Sequence, residues 1–309
     1  MPPAVTHMHA VPNFTDPAVP KVFDDPMIAD GTLFLFDPGH SQSGLTAGVV
    51  PATGSKVRNL AWQNAARVIG SGDVTSLAGT YTQVGLTGTS GKVERSGKGG
   101  LHAIVSKTNM VAGHGADIEL PDLVKTFLIA NPTATVVVTE VRRITRAASI
   151  GAGQLVRHVT LNNTAGVAAN YLAQVLQNAQ GLASNPPVGD PTYVGRSLVP
   201  ASGVGAAGGE LVDNAVKGFV GTVPATAAAF RAGFYFGDRP INNPTTVLQL
   251  MSSSILYRLQ VEILTGVAGV TGRSFTDYTA ASQAWFSRHV LTAGGRYFGD
   301  TYTDPATIA

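Results

Sequence analysis

The densest group of side chains able to do chemistry lies at residues 113–122, which read Gly-His-Gly-Ala-Asp-Ile-Glu-Leu-Pro-Asp. Asp117 and Glu119 are two residues apart, so on a strand both carboxylates point to the same face. Two carboxylates on one face are what a glycosidase uses as nucleophile and general acid, and His114 would add a metal ligand. The alternative is structural, because Glu119 and Asp122 also lie where a helix N-terminus favours negative charge.

A second candidate is the glycine-rich stretch 85–100, GLTGTSGKVERSGKGG, which contains Lys92, Arg95 and Lys98. It superficially resembles a loop that binds phosphate. It lacks the order of a P-loop, in which glycines precede Lys-Ser/Thr between a strand and a helix. We therefore predict a flexible surface loop whose cations could meet acidic partners.

The histidines form no recognisable metal or catalytic motif. His7 and His9 are expected in solvent, and His40, His102, His114, His158 and His289 complete the set. There is no HExxH sequence, no pair of histidines at i and i+4, and no GxSxG sequence to indicate a serine nucleophile. We accordingly predict no catalytic residue, no metal site and no cofactor, and we do not expect an enzyme.

Two further groups could contact other molecules. Arg142, Arg143 and Arg146 form a basic run after a predicted strand, which we interpret as an exposed face or a contact between subunits. Four aromatic residues could stack on sugar rings if exposed, with core or interface packing as the alternative: Trp62, Tyr81, Tyr235 and Tyr297.

Composition limits the function classes. The chain has 309 residues with no cysteine, which excludes a disulfide scaffold, a Cys-ligated zinc site and a cysteine nucleophile. Its net charge of +2 argues against nucleic-acid binding. Hydrophobic residues make up 44% and charged residues 13%, so the chain is folded. No apolar window is long enough for a membrane helix, and the N-terminus lacks the pattern of a secretory signal.

These side chains must be positioned by strands and two helices. Apolar residues and their alternation predict strands at residues 32–36, 83–86, 101–105, 135–141, 156–161, 170–180, 230–236 and 257–263, and a short element at 211–220. The last strand alternates apolar residues with Arg258, Gln260 and Glu262, which predicts a sheet with one face in solvent. Helices are predicted from an apolar stripe at 120–128, ended by Asn131-Pro132, and from a capping box at 274–277 that opens a helix through His289.

The pattern predicts an all-β fold, an antiparallel β-sandwich with one or two added helices and extended terminal arms. We assign residues 1–30 to an N-terminal arm, 31–298 to the sandwich and 299–309 to a C-terminal tail. Residues 39–58, 70–100 and 181–224 are predicted as long loops rich in glycine and proline. The arms either tie neighbouring copies together or dock onto their own domain.

The segments SILYRLQVEILTG, GRSFTDYTAASQAWF and GGRYFGD, within residues 254–300, resemble the closing part of concanavalin A-like (LamG-type) jelly-roll modules. Residues 33–36 and 117–141 fit an early strand and a helix-to-strand passage of such modules. The resemblance covers roughly residues 28–298 and implies a jelly-roll fold of the kind found in tailed-bacteriophage virion proteins. The calcium- and sugar-binding residues of the lectins and the glutamate motif of the glucanases have no match here.

The resulting hypothesis is a multi-copy structural protein of a phage virion, in its tail, baseplate or capsid surface. It is expected to be made in the host cytoplasm and to bind copies of itself and other virion proteins. The first alternative is a module that binds a host-surface glycan through one of the three long loops. The second is a polysaccharide hydrolase acting through Asp117 and Glu119.

Overall fold

The computed structural model describes residues 25–149, 156–164, 170–178, 181–185, 193–200, 208–237, 249 and 251–308. Most of the predicted N-terminal arm, with His7 and His9, lies outside the described residues. So do parts of the predicted loop 181–224.

The strands, in chain order, are β1 (Thr32–Phe36), β2 (Lys56–Val57), β3 (Gly79–Val84), β4 (Gly91–Arg95), β5 (Leu101–Val105), β6 (Gly115–Glu119), β7 (Thr135–Arg146), β8 (Val156–Asn163), β9 (Tyr171–Asn178), β10 (Gly181–Asn185), β11 (Tyr193–Pro200), β12 (Gly208–Lys217), β13 (Phe230–Gly237) and β14 (Ser253–Thr265). The helices are α1 (Trp62–Ile69), α2 (Asp122–Ala130) and α3 (Phe275–Phe286).

In the described part of the chain, the strands form two seven-stranded sheets in which every pairing is antiparallel. Six strands of sheet A have the order β11-β12-β7-β14-β5-β4, and the seventh, β1, pairs with β14. Sheet B has the order β10-β9-β8-β13-β6-β3-β2. One edge of β14 pairs with β7, and its other edge pairs first with β5 and then with β1. The prediction of an all-β protein with few helices is confirmed.

The two sheets share one apolar core. Val136 and Val138 of sheet A and Val159, Leu161 and Phe234 of sheet B belong to the same buried cluster. They alternate along their strands with residues of the opposite face, as the twofold period of a strand requires. Helices α1 and α2 pack against this cluster, so the two sheets and the two helices form one folded unit.

The second face of sheet A is covered by a further layer, in which α3 packs with Tyr278, Trp285 and Phe286 against the sheet. The prediction that one face of β14 is in solvent is therefore wrong. Arg258, for example, is 1% exposed, and Gln260 and Glu262 are as deeply buried. Residues 25–30 and 273–308 cover them, and the alternation within one strand does not reveal which other segments pack on it.

Both predicted helices are present. The stripe at 120–128 becomes α2, which follows Pro121 and ends at Asn131. The capping box is also found, because Ser274 Oγ accepts a hydrogen bond from Asp277 N–H at 3.1 Å and bonds its carboxylate at 2.6 Å. Helix α3 then continues into a π-helical turn at Ser287–Leu291. None of the described helices is long and apolar enough to cross a membrane.

The predicted loops contain more regular structure than expected. Residues 70–100 include all of β3 and β4, and residues 181–224 include β10, β11 and β12. Helix α1 was not predicted at all. Short strands with glycine at their ends are hard to predict from sequence. They contain only two or three alternating side chains, which is too few to distinguish a strand from a turn.

Candidate functional site

The paired carboxylates lie on one face of β6, as their spacing predicts, on the side of sheet B that points away from the core. Ala116, Ile118 and Leu120 point into the core, and Asp117 and Glu119 point outward. Asp117 is buried, while Glu119 is partly exposed. The structure does not bring His114 together with them into a metal-binding group of three side chains among the described residues.

The carboxylate of Glu119 is held by cations and a phenol. Its Oε2 lies 3.0 Å from Lys125 Nζ, and its Oε1 lies 3.8 Å from Arg231 Nη1. Tyr235 Oη donates a hydrogen bond to Oε1 at 2.7 Å. Contacts from Lys125 of α2 and from Arg231 and Tyr235 of β13 engage both carboxylate oxygens, so this arrangement suits an anchor between α2 and sheet B. Sequence patterns did not single out Lys125, although it follows Asp122 by three residues on a predicted helix.

Asp122 lies in the first turn of α2, where its negative charge is favourable to the helix dipole. Its carboxylate is 3.7 Å from Lys125 Nζ, and its side chain is 82% exposed. This agrees with the structural alternative for Asp122. Glu119 instead belongs to the strand that precedes the helix.

The basic run lies on β7, and its side chains do not form an exposed face. Arg142 is 0% exposed and points between the two sheets. Arg143 donates to the C=O of Asp300 and stacks on Tyr302, while Arg146 donates to the C=O groups of Pro305 and Ile308. The interpretation as a solvent-exposed patch is therefore wrong, because the C-terminal tail of the same chain covers two of the arginines and the facing sheet covers the third.

Arg142 is the centre of a buried group that we call the inter-sheet polar cluster: Glu140, Arg142, His158 and Glu210. Arg142 Nη2 lies 3.3 Å from Glu210 Oε2, and its Nη1 donates to His158 Nε2 at 3.0 Å. Because arginine only donates, His158 Nε2 must accept, and the imidazole is neutral with its proton on Nδ1. Both oxygens of Glu140 lack a hydrogen-bond partner among the described residues, and burial raises the pKa of Glu140 to about 7.

A second buried group fixes the ends of the chain. We call Asp25, Asp37, Arg258 and Arg296 the terminal ion cluster. Arg258 makes a bidentate contact with Asp25 at 2.9 and 3.0 Å, and Arg296 pairs with Asp37. The guanidinium of Arg258 also lies 4.5 Å from the centroid of Trp285. Burial raises the pKa of Asp37, while the two arginines act against that rise.

The remaining histidines are tied into the fold. His102 is 0% exposed and lies between Glu94 at 2.9 Å and Thr145 at 2.8 Å. Burial lowers its pKa, against the effect of Glu94. His289 packs on Trp285 at 4.8 Å, and burial lowers its pKa to about 4. His40 is half-buried near Asp37, and burial likewise lowers its pKa.

The aromatic candidates pack inside the protein. Tyr81, Tyr235 and Tyr297 are at most 1% exposed, and Trp62 packs partly buried against the core. Tyr297 stacks on Tyr257 with the ring centroids 4.1 Å apart. Packing, rather than sugar stacking, accounts for these residues.

The cations of the glycine-rich stretch are not on a flexible loop. Lys92 and Arg95 belong to β4, and Lys98 lies in the turn between β4 and β5. The backbone N–H of Lys98 donates to Asp300 Oδ1 at 2.7 Å. The predicted flexible loop is thus an ordered β-hairpin.

A surface cleft of about 410 Å³ lies between two of the predicted loops, 39–58 and 70–100. Its lining is mixed, with apolar Val50, Pro51 and Leu86 beside polar Thr53, Gln83 and Thr87. The amide of Gln83 is already engaged, because its Oε1 accepts from Tyr81 Oη at 2.7 Å and its Nε2 donates to the C=O of Leu86 at 3.3 Å. The hydroxyl of Thr53 is engaged as well, because it accepts from the N–H of Gln83 at 3.1 Å and donates to its C=O at 2.9 Å.

Comparison with known proteins identifies no family. No protein-family model matches the chain, and no curated protein matches it. Two structures of the Trypanosoma rangeli sialidase, in complex with 2,3-difluoro-KDN and with 2,3-difluorosialic acid as a covalent intermediate, are similar at 12% and 11% identity and a TM-score of 0.34. The similarity covers 78% of this chain and 32% of the sialidase chain. A likeness of this size assigns neither a fold family nor an activity to this chain.

Proposed function

We propose that the chain is a multi-copy structural protein of a tailed-bacteriophage virion, built on a concanavalin A-like sandwich. The sequence resemblance at residues 254–300 and the absence of a catalytic motif in the sequence support this role. The observation that carries it is the bidentate contact of Asp25 with Arg258. This contact ties Asp25, the residue directly after residues 1–24, to Arg258 of β14.

Those 24 residues are suited to reach a neighbouring copy. Prolines at positions 2, 3, 12, 17 and 20 prevent a continuous helix. Fully extended, a segment of that length spans up to about 80 Å. An arm that connects subunits in a particle needs a fixed point of attachment and enough length to contact the neighbouring copy.

Light scattering tests this proposal on the purified full chain and on a chain that lacks residues 1–24. We expect assemblies larger than a dimer for the full chain and only small species for the truncated one. Circular dichroism should show the same fold in both, because the truncation stops before Asp25. Equal assembly of the two chains would contradict the role of the arm.

The second candidate is a glycan-binding module, which is favoured by the cleft between loops 39–58 and 70–100. Shallow sugar sites bind with micromolar to millimolar Kd, or about 4 to 8 kcal/mol. A glycan array should show binding that is lost in Ala52→Trp, which fills the cleft, and retained in Val74→Trp, an exposed position that does not line it. An array without signal from the folded wild-type chain would exclude this candidate.

The hydrolase remains the least supported alternative, because Lys125 and Arg231 lie beside Glu119. If hydrolysis of a polysaccharide were detected, Glu119→Gln should abolish it. Unchanged turnover in that variant would rule out Glu119 as a catalytic group.

A further inference from the structure

Three side chains on the outer face of sheet A form a hydrogen-bonded chain. His102 lies between the other two, with its Nδ1 2.9 Å from Glu94 Oε1 and its Nε2 2.8 Å from Thr145 Oγ1. Carboxylate, imidazole and hydroxyl in this order are the arrangement in which a protein activates a hydroxyl for attack on an acyl group. The three residues share no sequence motif, because they come from three different strands.

The register of these strands brings the three residues together. Glu94 of β4 and His102 of β5 lie directly opposite each other in an antiparallel pair. Thr145 belongs to β7, which is separated from β5 by β14. In the pairing of β7 with β14, Thr145 is the extra residue of a β-bulge. A bulge changes the direction in which a side chain points, and the hydroxyl of Thr145 reaches His102 from this position.

The carboxylate of Glu94 is fixed from several sides. Its Oε2 accepts from Lys92 Nζ at 2.8 Å and from Thr303 Oγ1 at 2.7 Å, and its Oε1 accepts from the N–H of Thr303 at 2.9 Å. Burial raises the pKa of Glu94, but these hydrogen bonds outweigh it and lower the pKa to about 2. An ionised carboxylate can only accept, so His102 Nδ1 carries the proton and Nε2 accepts from the hydroxyl of Thr145.

The C-terminal tail covers the imidazole but not all of the threonine. The ring of Tyr302 meets His102 edge-on, with the ring centroids 5.2 Å apart, and His102 is 0% exposed. Thr145 is partly exposed. Arg143, two residues earlier on β7, has its guanidinium 5.4 Å from the centroid of the same tyrosine ring. A positive charge on the same strand favours an oxyanion formed at Thr145.

We propose that Thr145 is an activated hydroxyl that accepts an acyl group from a small ester, with His102 as its base and Glu94 as the positioning residue. Thr145 Oγ1 forms a bond to the carbonyl carbon of the ester while its proton passes to His102 Nε2. When the tetrahedral adduct collapses, the bond to the alcohol oxygen breaks and that oxygen takes the proton from Nε2. The products are an acylated Thr145 and the free alcohol. This activity goes beyond the proposed virion role and does not depend on it.

Acetylation of the full chain by p-nitrophenyl acetate at neutral pH tests the proposal. The release of p-nitrophenolate gives the rate, and peptide mass mapping locates the acetyl group, which we expect on Thr145. A general base contributes about 10²- to 10⁴-fold to a rate, so His102→Gln should slow the acetylation of Thr145 about 100-fold or more. Thr145→Ser retains a hydroxyl and should retain the adduct, whereas Thr145→Val should lose it.

Thr82→Val is the matched control, because it removes a partly exposed threonine hydroxyl from β3, outside this site. It should leave the acetylation of Thr145 unchanged. Thermal denaturation verifies that each variant is folded, and Thr145→Val keeps the shape of the side chain if His102→Gln does not fold. An unmodified Thr145 in the folded wild-type chain, or an unchanged rate in a folded His102→Gln, would overturn the proposal.

The pH dependence of the acetylation rate distinguishes activation from a purely structural role. Burial lowers the pKa of His102 below its ordinary value of 6.5. Glu94 and Asp300 act against this change, and Lys92 acts with it. The rate should therefore rise with pH as the imidazole loses its proton and level off before neutral pH. Glu94→Gln removes a charge that raises this pKa, so the rise should move to lower pH. An unshifted profile would overturn the role of Glu94.

Discussion

The interior of this protein contains fully buried ionisable side chains at positions where apolar residues would be expected. Arg258 has a bidentate partner in Asp25 and the ring of Trp285 beside it. Glu140 has no hydrogen-bond partner among the described residues, with the nearest guanidinium atom, Arg142 Nε, 4.0 Å away. The first charge is compensated and the second is not, so their removal should have opposite effects on stability.

Arg258→Ala should destabilise the protein strongly, because it leaves Asp25 buried without a counter-ion. Breaking a buried ion pair in this way costs about 3 to 5 kcal/mol. The matched control is Arg67→Ala, which removes a pair with Asp30 in which the arginine side chain is 49% exposed, and it should cost less than about 1 kcal/mol. Urea denaturation of both variants measures the difference, and equal losses would show that the terminal ion cluster is not stabilising.

Glu140→Gln should remove part of the pH dependence of stability. Burial raises the pKa of Glu140 to about 7, with Glu210 acting in the same direction and Arg142 against it. A carboxyl whose pKa is higher in the folded state stabilises the fold at low pH, and this contribution is lost as the pH rises from about 4.5 to above 7. The loss amounts to at most about 3 kcal/mol.

Asp213 should make stability depend on pH in the same way. Burial raises its pKa to about 7, and the hydrogen bonds from Thr139 and Ser282 oppose this rise. Free energies of unfolding between about pH 5 and pH 8 should therefore fall less steeply in Glu140→Gln and in Asp213→Asn than in the wild type. In the double variant this fall should disappear, and the rise of stability with pH that His40, His102 and His289 contribute through their lowered pKa values should remain. A wild-type slope that persists in the double variant would place the titrating group elsewhere.

At the scale of single elements, the C-terminal tail is part of the sandwich. Asp300 accepts from Tyr257 Oη at 3.0 Å, Thr303 bonds to Glu94, and Pro305 and Ile308 are buried. Of the two alternatives for the tail, the structure has it docked onto its own domain. Hydrogen bonds from Lys92, Thr303 and His102 outweigh burial and lower the pKa of Glu94 to about 2.

Deletion of residues 300–309 should lower stability without changing the oligomeric state. The loss of two buried side chains and several buried hydrogen bonds amounts to about 2 to 4 kcal/mol. Thermal denaturation measures the loss, and light scattering measures the assembly. Smaller assemblies from a folded truncated chain would show that the tail also connects neighbouring copies.

Elements with a long local pattern could be predicted from the sequence, and contacts between distant segments could not. Helix α2 and the Ser274 cap of α3 follow from their stripe and capping box, and β13 follows from its alternation. The alternation of β14 also follows from its sequence, but its polar face is covered by residues 25–30 and 273–308, which the pattern of the strand itself does not reveal. The burial of Arg142 and the partners of Glu119 could not be predicted for the same reason, because they depend on contacts with other segments of the chain.

At the scale of the whole molecule, β14 joins parts of the chain that are far apart. It pairs with β1, where Thr32 lies opposite Glu262, and with β5 and β7. The hydrogen bond from Thr32 Oγ1 to Glu262 Oε2 closes a separation of 230 residues. Sheet A is therefore interrupted at its centre until residues 253–265 are in place.

A chain that ends at residue 250 should consequently fail to fold. It retains all of sheet B but lacks the strand between β7 and β5, so its apolar core has no complete second layer. Proteolysis and circular dichroism should show an open, degradable chain, whereas the chain lacking only residues 300–309 should be resistant. A compact, protease-resistant product from the shorter chain would show that sheet B folds independently.

The position of β14 after all the other strands has a consequence during synthesis. A ribosome adds about 5 to 20 residues per second, so β1 to β13 leave the ribosome before the strand that closes sheet A, the earliest of them by many seconds. A product released early by a frameshift or a premature stop would expose its apolar interior to cellular proteases. The order of the strands along the chain thus makes the closure of sheet A one of the last steps in the formation of this fold.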